Sequence, residues 1–126
     1  MAMNAISNAL RTTLVTVLTT ALDQGAGAGK VQIFTAAFAT MLSEHAFTDP
    51  SATSVTNGVT TLAAIADDTA LATGVAAVCR FVDSVDTTLW EGTVSTSAAD
   101  INLNSTSISS GVTVSLTSGT FTQPAA

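Results

Sequence analysis

From Lys30 to Phe121 the chain alternates apolar or β-branched residues with polar ones in short runs, and turn-forming residues break each run. Alternation with a period of two sends successive side chains to opposite faces of a strand, so this stretch is constrained to a sheet with one dry face. Lys30 to Ala36 sets Val31, Ile33 and Thr35 on one face and Gln32, Phe34 and Ala36 on the other. Ala39 to Phe47 reads as a second strand, ending at Thr48-Asp49-Pro50, where proline stops pairing. Val55 to Ile65 alternates again, with Asn57-Gly58 suited to a tight turn inside it. Gly74 to Val82 presents Val75, Ala77, Cys79 and Phe81 on one face and Ala76, Val78, Arg80 and Val82 on the other. Asp83-Ser84-Val85-Asp86 turns the chain, and Thr88, Trp90, Gly92 and Val94 return as the clearest hairpin. In Asp100 to Ile108, Ile101 and Leu103 alternate with Asn102 and Asn104; in Gly111 to Phe121, Val112, Val114 and Leu116 alternate with Thr113, Ser115 and Thr117. Roughly seven or eight short strands spaced by turns predict an antiparallel β-sandwich or jelly roll over residues 30–123.

Ahead of this lies a different period. Ile6, Leu10, Leu14, Leu18 and Leu22 recur every fourth residue, which predicts a helix over residues 4–24 with a narrow apolar stripe. Asn4 or Ser7 can cap its start, and Gly25 can supply the left-handed residue past its end. The β-branched residues between Leu14 and Thr20 favour a strand instead, but the stripe persists for longer than a usual strand. The polar face of this helix is Thr, Ser and Asn with almost no charge, as expected of a face lying on its own sheet or docked on another subunit. Gly25-Ala-Gly-Ala-Gly29 then reads as a flexible link over residues 25–29. A chain of 126 residues predicts a single domain, able to bury roughly two thirds of its unfolded surface without a metal or a disulfide.

Composition removes several functions. Only 10% of residues are charged, against about 25% in typical soluble domains. The three cations, Arg11, Lys30 and Arg80, stand against nine acidic residues, giving a net charge of −6. Nucleic-acid binding draws its affinity from clustered Lys and Arg, so no nucleic-acid partner is expected. High hydropathy with low charge argues against disorder. The absence of a long apolar run argues against a membrane span. Leu14 to Leu22 followed by Ala26-Gly27-Ala28 imitates a secretory leader, but Thr13, Thr16, Thr19 and Thr20 interrupt it and Arg11 is its only cation. A lone cysteine, Cys79, forms no internal disulfide, and the chain reads as one folded inside the cell.

The residues that could carry chemistry form no constellation. The only histidine, His45, follows Glu44, and neighbours in a strand face opposite ways, so His45 is expected at the surface without a catalytic partner. No G-x-S-x-G turn or S-x-x-K pair marks a nucleophilic serine. Cys79, mid-strand, is expected to be a buried structural thiol, with Arg80 pointing the other way. One Cys and one His are too few soft ligands for a zinc site. Asp67-Asp68 and the Asp83/Asp86 turn offer oxygen ligands for calcium, although aspartate in turns commonly bonds its own backbone. Gly25 to Lys30 lacks the spacing of a phosphate loop. Most of Phe34, Phe38, Phe47, Phe81, Phe121 and Trp90 are expected in the core; an exposed Trp90 would instead suit a sugar platform. No catalytic, cofactor-binding or metal-ligating residue is assigned.

Four segments resemble a family of small virion structural proteins of tailed bacteriophages: Ala72-Thr-Gly-Val-Ala-Ala-Val-Cys-Arg-Phe-Val-Asp-Ser84, Trp90-Glu-Gly-Thr-Val94, Ala99-Asp-Ile-Asn-Leu-Asn-Ser-Thr-Ser-Ile108 and Gly111-Val-Thr-Val-Ser-Leu116. Lys30-Val-Gln-Ile-Phe-Thr35 is similar to that family's opening, and the likeness spans most of residues 5–122. The chain departs from the family at Val78, where Trp is frequent, and at Val85-Asp86, where a tight Asp-Gly turn is usual. The resemblance implies a capsid cement or decoration protein on the outer surface of the virion, made in the host cytoplasm. The partners it implies are the major capsid protein and further copies of itself. It transfers no catalytic residues: Arg80 and Asp83 match hairpin positions, and Asn102 and Asn104 match polar faces of a strand or turn. A host-receptor or carbohydrate-binding module of a tail or fibre is the alternative.

Overall fold

In chain order the elements are α1 (Asn8–Leu22), β1 (Lys30–Phe34), a 3-10 turn (Ala36–Phe38), β2 (Met41–Ala46), β3 (Ala52–Thr56), β4 (Val59–Leu62), β5 (Asp68–Thr69), β6 (Gly74–Val75), β7 (Val78–Val82), β8 (Thr88–Ser95), β9 (Ile101–Leu103), β10 (Ser107–Ile108), β11 (Thr113–Val114) and β12 (Leu116–Thr122). The structure, a computed structural model, describes residues 7–25, 27–48, 51–97 and 99–122. The fold is mainly β with one amino-terminal helix, as the two periodicities predict.

Eight strands form one sheet in the order β2-β1-β7-β8-β9-β12-β4-β3, and two short pairs, β10-β6 and β11-β5, accompany it. The two outermost strands, β2 and β3, are consecutive in sequence and joined by residues 47–51 alone. Eight flat strands would hold their outer members about 34 Å apart. The link reaches at most about 22 Å. The sheet therefore has to curl, and it does. The residues after β4 lie along the outer edge of β2: Ala66 N–H donates to Ala46 O (3.2 Å), Leu71 N–H to Leu42 O (2.8 Å), and Glu44 N–H to Asp68 Oδ2 (3.0 Å). On its far side this segment pairs with β11 through Asp68 and Thr69. Edge strands with open backbone groups invite unwanted pairing, and here the edge of β2 is occupied by the chain itself.

The alternation places most strands correctly and misses where the ladder breaks. Val31, Ile33, Cys79 and Phe81 point inward as expected. A bulge opposite Ile33 and Phe34 turns Leu42 inward as an extra residue. The run Gly74 to Val82 is two strands, not one: the chain breaks at residues 76–77, β6 leaves to pair with β10, Ala76 becomes buried and Val75 exposed. The run Val55 to Ile65 is likewise divided: it holds the end of β3 and all of β4, a hairpin from Ala52 to Leu62 with Asn57 (φ 52°) and Gly58 (φ 77°) in left-handed turn positions. Asp83 Oδ1 accepts from the backbone of Val85 and Thr87 (both 3.0 Å) and so builds the β7–β8 turn.

Helix α1 begins at Ser7, whose Oγ accepts from Leu10 N–H (3.2 Å), and Gly25 (φ 91°) follows its end. It lies against β3 and β4, where Gly58 N–H donates to Thr12 Oγ1 (3.1 Å). Its buried residues are Val15, Thr19 and Leu22, with Leu18 packed beside them, whereas Leu10 and Leu14 are 48% and 40% exposed. Four residues advance about 400° round a helix, so a stripe kept at strict fourth positions drifts by about 120° between Leu10 and Leu22. The early leucines thus wind off the buried side; Ile6 lies outside the described residues. The glycine segment after α1 is packed, contrary to the expected flexible link: a Cβ on Gly29 would come within 2.7 Å of Leu22 O and 3.0 Å of Val82 O.

One junction breaks the antiparallel pattern. β8 and β9 pair in parallel, Val94 with Ile101 and Ser95 with Asn102, although only residues 96–100 join them. Parallel neighbours ordinarily need a crossover of about a dozen residues or more. Two side chains make the short return possible. Asp100 Oδ2 accepts from Thr93 N–H (3.0 Å) and Thr93 Oγ1 (3.1 Å), and Asn102 Oδ1 accepts from Ala99 N–H (3.0 Å) and Ser95 Oγ (3.3 Å) while its Nδ2 donates to Ala99 O (3.3 Å). Asn102 is buried, so it is a strut inside the loop and not the polar strand face expected from alternation. Asn102→Ala should lower unfolding free energy by about 1–3 kcal/mol in urea titrations, because it removes a buried side chain that makes three hydrogen bonds to part-buried partners in the loop. Asn104→Ala, at an exposed residue, should lower it by less than about 1 kcal/mol.

Candidate functional site

Charge is segregated on the sheet. Register aligns Glu44, Gln32, Arg80 and Glu91 in one row across β2, β1, β7 and β8. Gln32 Nε2 donates to Glu44 Oε2 (2.7 Å), and an Arg80 guanidinium nitrogen lies 3.4 Å from Glu91 Oε2. Beside the row, Lys30 Nζ meets Asp86 Oδ1 at 2.7 Å and Glu44 Oε1 at 3.8 Å. The hydrogen bond to Asp86 holds the Lys30 ammonium above the usual lysine range, against a smaller opposing effect of burial. The other four strands, β9, β12, β4 and β3, contain no Asp, Glu, Lys or Arg.

The helix that covers β3 and β4 extends the uncharged side. Thr13 Oγ1 donates to Ala9 O (3.1 Å), Thr16 to Thr12 O (2.7 Å) and Thr20 to Thr16 O (3.0 Å). Each hydroxyl is thus satisfied on the helix's own backbone, which leaves little unmet polarity for water or a partner to satisfy. Leu10, Leu14 and Val17, the last 60% exposed, share this helix with them. A groove of about 400 Å³ runs along it, lined by Thr12, Thr13, Thr16, Val17, Thr20 and Gln24 among others. Arg11 is the helix's one charged residue.

Three groups singled out for possible chemistry serve the fold. His45 is fully buried, contrary to the surface position expected of it, because β2 is covered on its outer edge by the segment after β4. Its Nδ1 lies 2.8 Å from Ala66 O, which only accepts, so Nδ1 carries the proton and Nε2 accepts from Ser43 Oγ at 2.8 Å. Burial lowers its pKa below the usual histidine value, against the raising effects of Ala66 O, Asp68, Asp67 and Glu44. Cys79 is buried under Gly92 and Asp100, and desolvation pushes its thiol up to about 12. The acidic pairs do not gather into a cation site. Asp68 is bonded to Glu44 N–H, Asp83 to its own turn and Asp86 to Lys30; a groove of about 270 Å³ bears Asp67, Asp68, Thr69 and Thr113. Among the described residues no three metal-ligating side chains cluster.

Trp90 is half-buried, its ring stacked on Phe81 at 4.7 Å, and Phe81 in turn stacks on Phe47 at 6.2 Å. This is the core role expected for it. The β1–β2 connection was not flagged by any motif, yet it is strained: Ala37 (φ 59°) and Phe38 (φ 55°) are both left-handed, at a cost of about 1–2 kcal/mol per residue. What holds it is the Phe38 ring, edge-on to Phe34 at 5.4 Å and 4.5 Å from the Arg80 guanidinium, which also lies 5.0 Å from Phe34. Nothing in an alanine and a phenylalanine announces that geometry.

No family model, curated protein or solved structure matches this chain. No helix of the described residues is long and apolar enough to cross a membrane. The burial of Cys79 makes a direct forecast. At pH 8 the native thiol should resist a maleimide or a disulfide reagent for hours, and the urea-unfolded chain should react within minutes; rapid native labelling would contradict the enclosure.

Proposed function

We propose that this chain is a capsid decoration or cement protein of a tailed bacteriophage, binding the outer surface of the major capsid protein lattice and stabilising the head. The observation that carries the reading is the segregation of charge. The helix face bearing Leu10, Leu14 and Val17, together with the uncharged β3–β4 hairpin beneath it, has almost no charge to desolvate on contact. Such a surface suits permanent assembly, where burying charged groups would oppose association. The charged row on β2, β1, β7 and β8 then faces solvent, and its net negative character suits a position away from packaged DNA. Each contact can be weak because a lattice makes many of them at once.

On this reading the curled sheet is a sandwich of the jelly-roll class, its charged strands forming one layer and its uncharged strands the other, and copies of the chain associate with one another on the lattice. The resemblance of Ala72 to Ser84 and Ala99 to Ile108 to small virion proteins supports the same assignment. A receptor- or glycan-binding role finds less support, since Trp90 is stacked into the core instead of standing exposed.

Purified protein mixed with capsids lacking it should bind saturably at a fixed number of copies and raise the temperature at which the heads rupture. Val17→Glu should weaken that binding by at least about tenfold, or about 1.4 kcal/mol per contact, while the free protein melts as before. Binding to cells or glycans but not to capsids would overturn the proposal, as would a Val17→Glu protein that binds capsids normally.

A further inference from the structure

The segment that closes the sheet against β2 is fastened at its centre by a neutral histidine. Residues 63–71 meet the β2 side through Thr48 Oγ1 on Ala64 O (2.6 Å), Ala66 N–H on Ala46 O (3.2 Å), Leu71 N–H on Leu42 O (2.8 Å), Asp68 Oδ2 under Glu44 N–H (3.0 Å) and His45 Nδ1 on Ala66 O (2.8 Å). Only the last of these is a buried side chain reaching across to hold the backbone of the segment. Ser43, also fully buried, fixes the other ring nitrogen as an acceptor.

We propose that His45 is an acid-operated latch, whose protonation loosens residues 63–71 from the edge of β2 while the rest of the sheet stays closed. A second proton on the ring puts a charge in an enclosed site and converts Nε2 from acceptor to donor, so the Ser43 hydroxyl must turn round and lose the bond it donates. The charged groups that act on the ring are Glu44 from β2 and Asp67 and Asp68 from the segment itself; β1 sets Val31 opposite. The Ala66 carbonyl and those carboxylates favour the imidazolium but are outweighed by burial, so the closed seam prefers the neutral ring. A group that is harder to protonate when closed stabilises closure above its free value, near 6.5, and that contribution shrinks as pH falls below it. Opening relieves the penalty by admitting water to the ring. It also bares the β2 edge, a backbone surface able to pair with another strand. This latch is independent of the docking face on α1 and stands whether or not the chain decorates capsids.

Amide hydrogen exchange of the full chain, corrected for intrinsic rates, tests it between pH 7.5 and pH 5. Histidine is the side-chain type whose ordinary value falls inside this window. Protection of the Ala66 and Leu71 amides should fall by up to about tenfold per pH unit once below about 6.5, while the amides of β1 and β7 hold theirs. Uniform loss across all strands would overturn the latch in favour of global unfolding, and unchanged protection at Ala66 and Leu71 would overturn it outright. His45→Gln supplies the second arm: if it folds, seam protection should no longer depend on pH in this range. If it does not fold, the wild-type profile decides alone.

Discussion

The covalent link of residues 47–51 between β2 and β3 is the constraint on which the remaining structure depends. It is too short for the outer strands of a flat eight-stranded sheet, so the sheet must curl, and a curled sheet encloses Phe81, Ile33, Leu42, Ile101 and Leu103. The sheet does not close, so β2 and β3 are its edges, and the chain after β4 returns along the edge of β2. From this follow the burial of His45, the use of Asp68 as an acceptor for a backbone N–H, and the covered inner face on which Ser43 sits. The parallel step from β8 to β9 is the second unusual junction, held by Asp100 and Asn102, and it lets the sheet pass from its charged strands to its uncharged ones within a single loop.

Much of this was legible in the residues. Alternation located β1, β2, β7 and β8, Asn57-Gly58 marked a hairpin, and Asp83 marked the turn whose backbone it holds. Alternation could not show that residues 76–77 interrupt a run that alternates without a break, because the cause is a partner strand, β10, about thirty residues away. The leucine stripe of α1 was real as a helix signal and misleading as a burial signal, since a four-residue repeat drifts round the helix. His45 was misplaced for a related reason: a histidine beside a glutamate reads as surface, and its partners, Ser43 on the same face and the carbonyl of Ala66, appear only when the chain folds back. A parallel pair joined by five residues runs against the expectation for crossovers, and only the sidedness of Asp100 and Asn102 could have hinted at it.

The uncharged composition acquires a direction once the strands are ordered. The few charges gather on and around β2, β1, β7 and β8, several in pairs, and the helix with the strands beneath it has Arg11 as its one charge among mostly Thr, Ser, Ala, Val and Leu. Threonines that bond their own helix present methyl groups with their hydroxyls already satisfied. Scarcity of charge is therefore not spread evenly over the surface. It defines two sides, and the proposed attachment to a capsid uses that difference to orient the molecule.

An image of assembled phage heads, at a resolution that separates a helix from a sheet, tests this orientation most directly. The account predicts density for the chain on the outer capsid surface, with α1 and the β3–β4 hairpin against the lattice and the row Glu44, Gln32, Arg80 and Glu91 toward solvent. Density confined to the tail or fibres, or a chain seated on the capsid through its charged row with α1 facing outward, would contradict it.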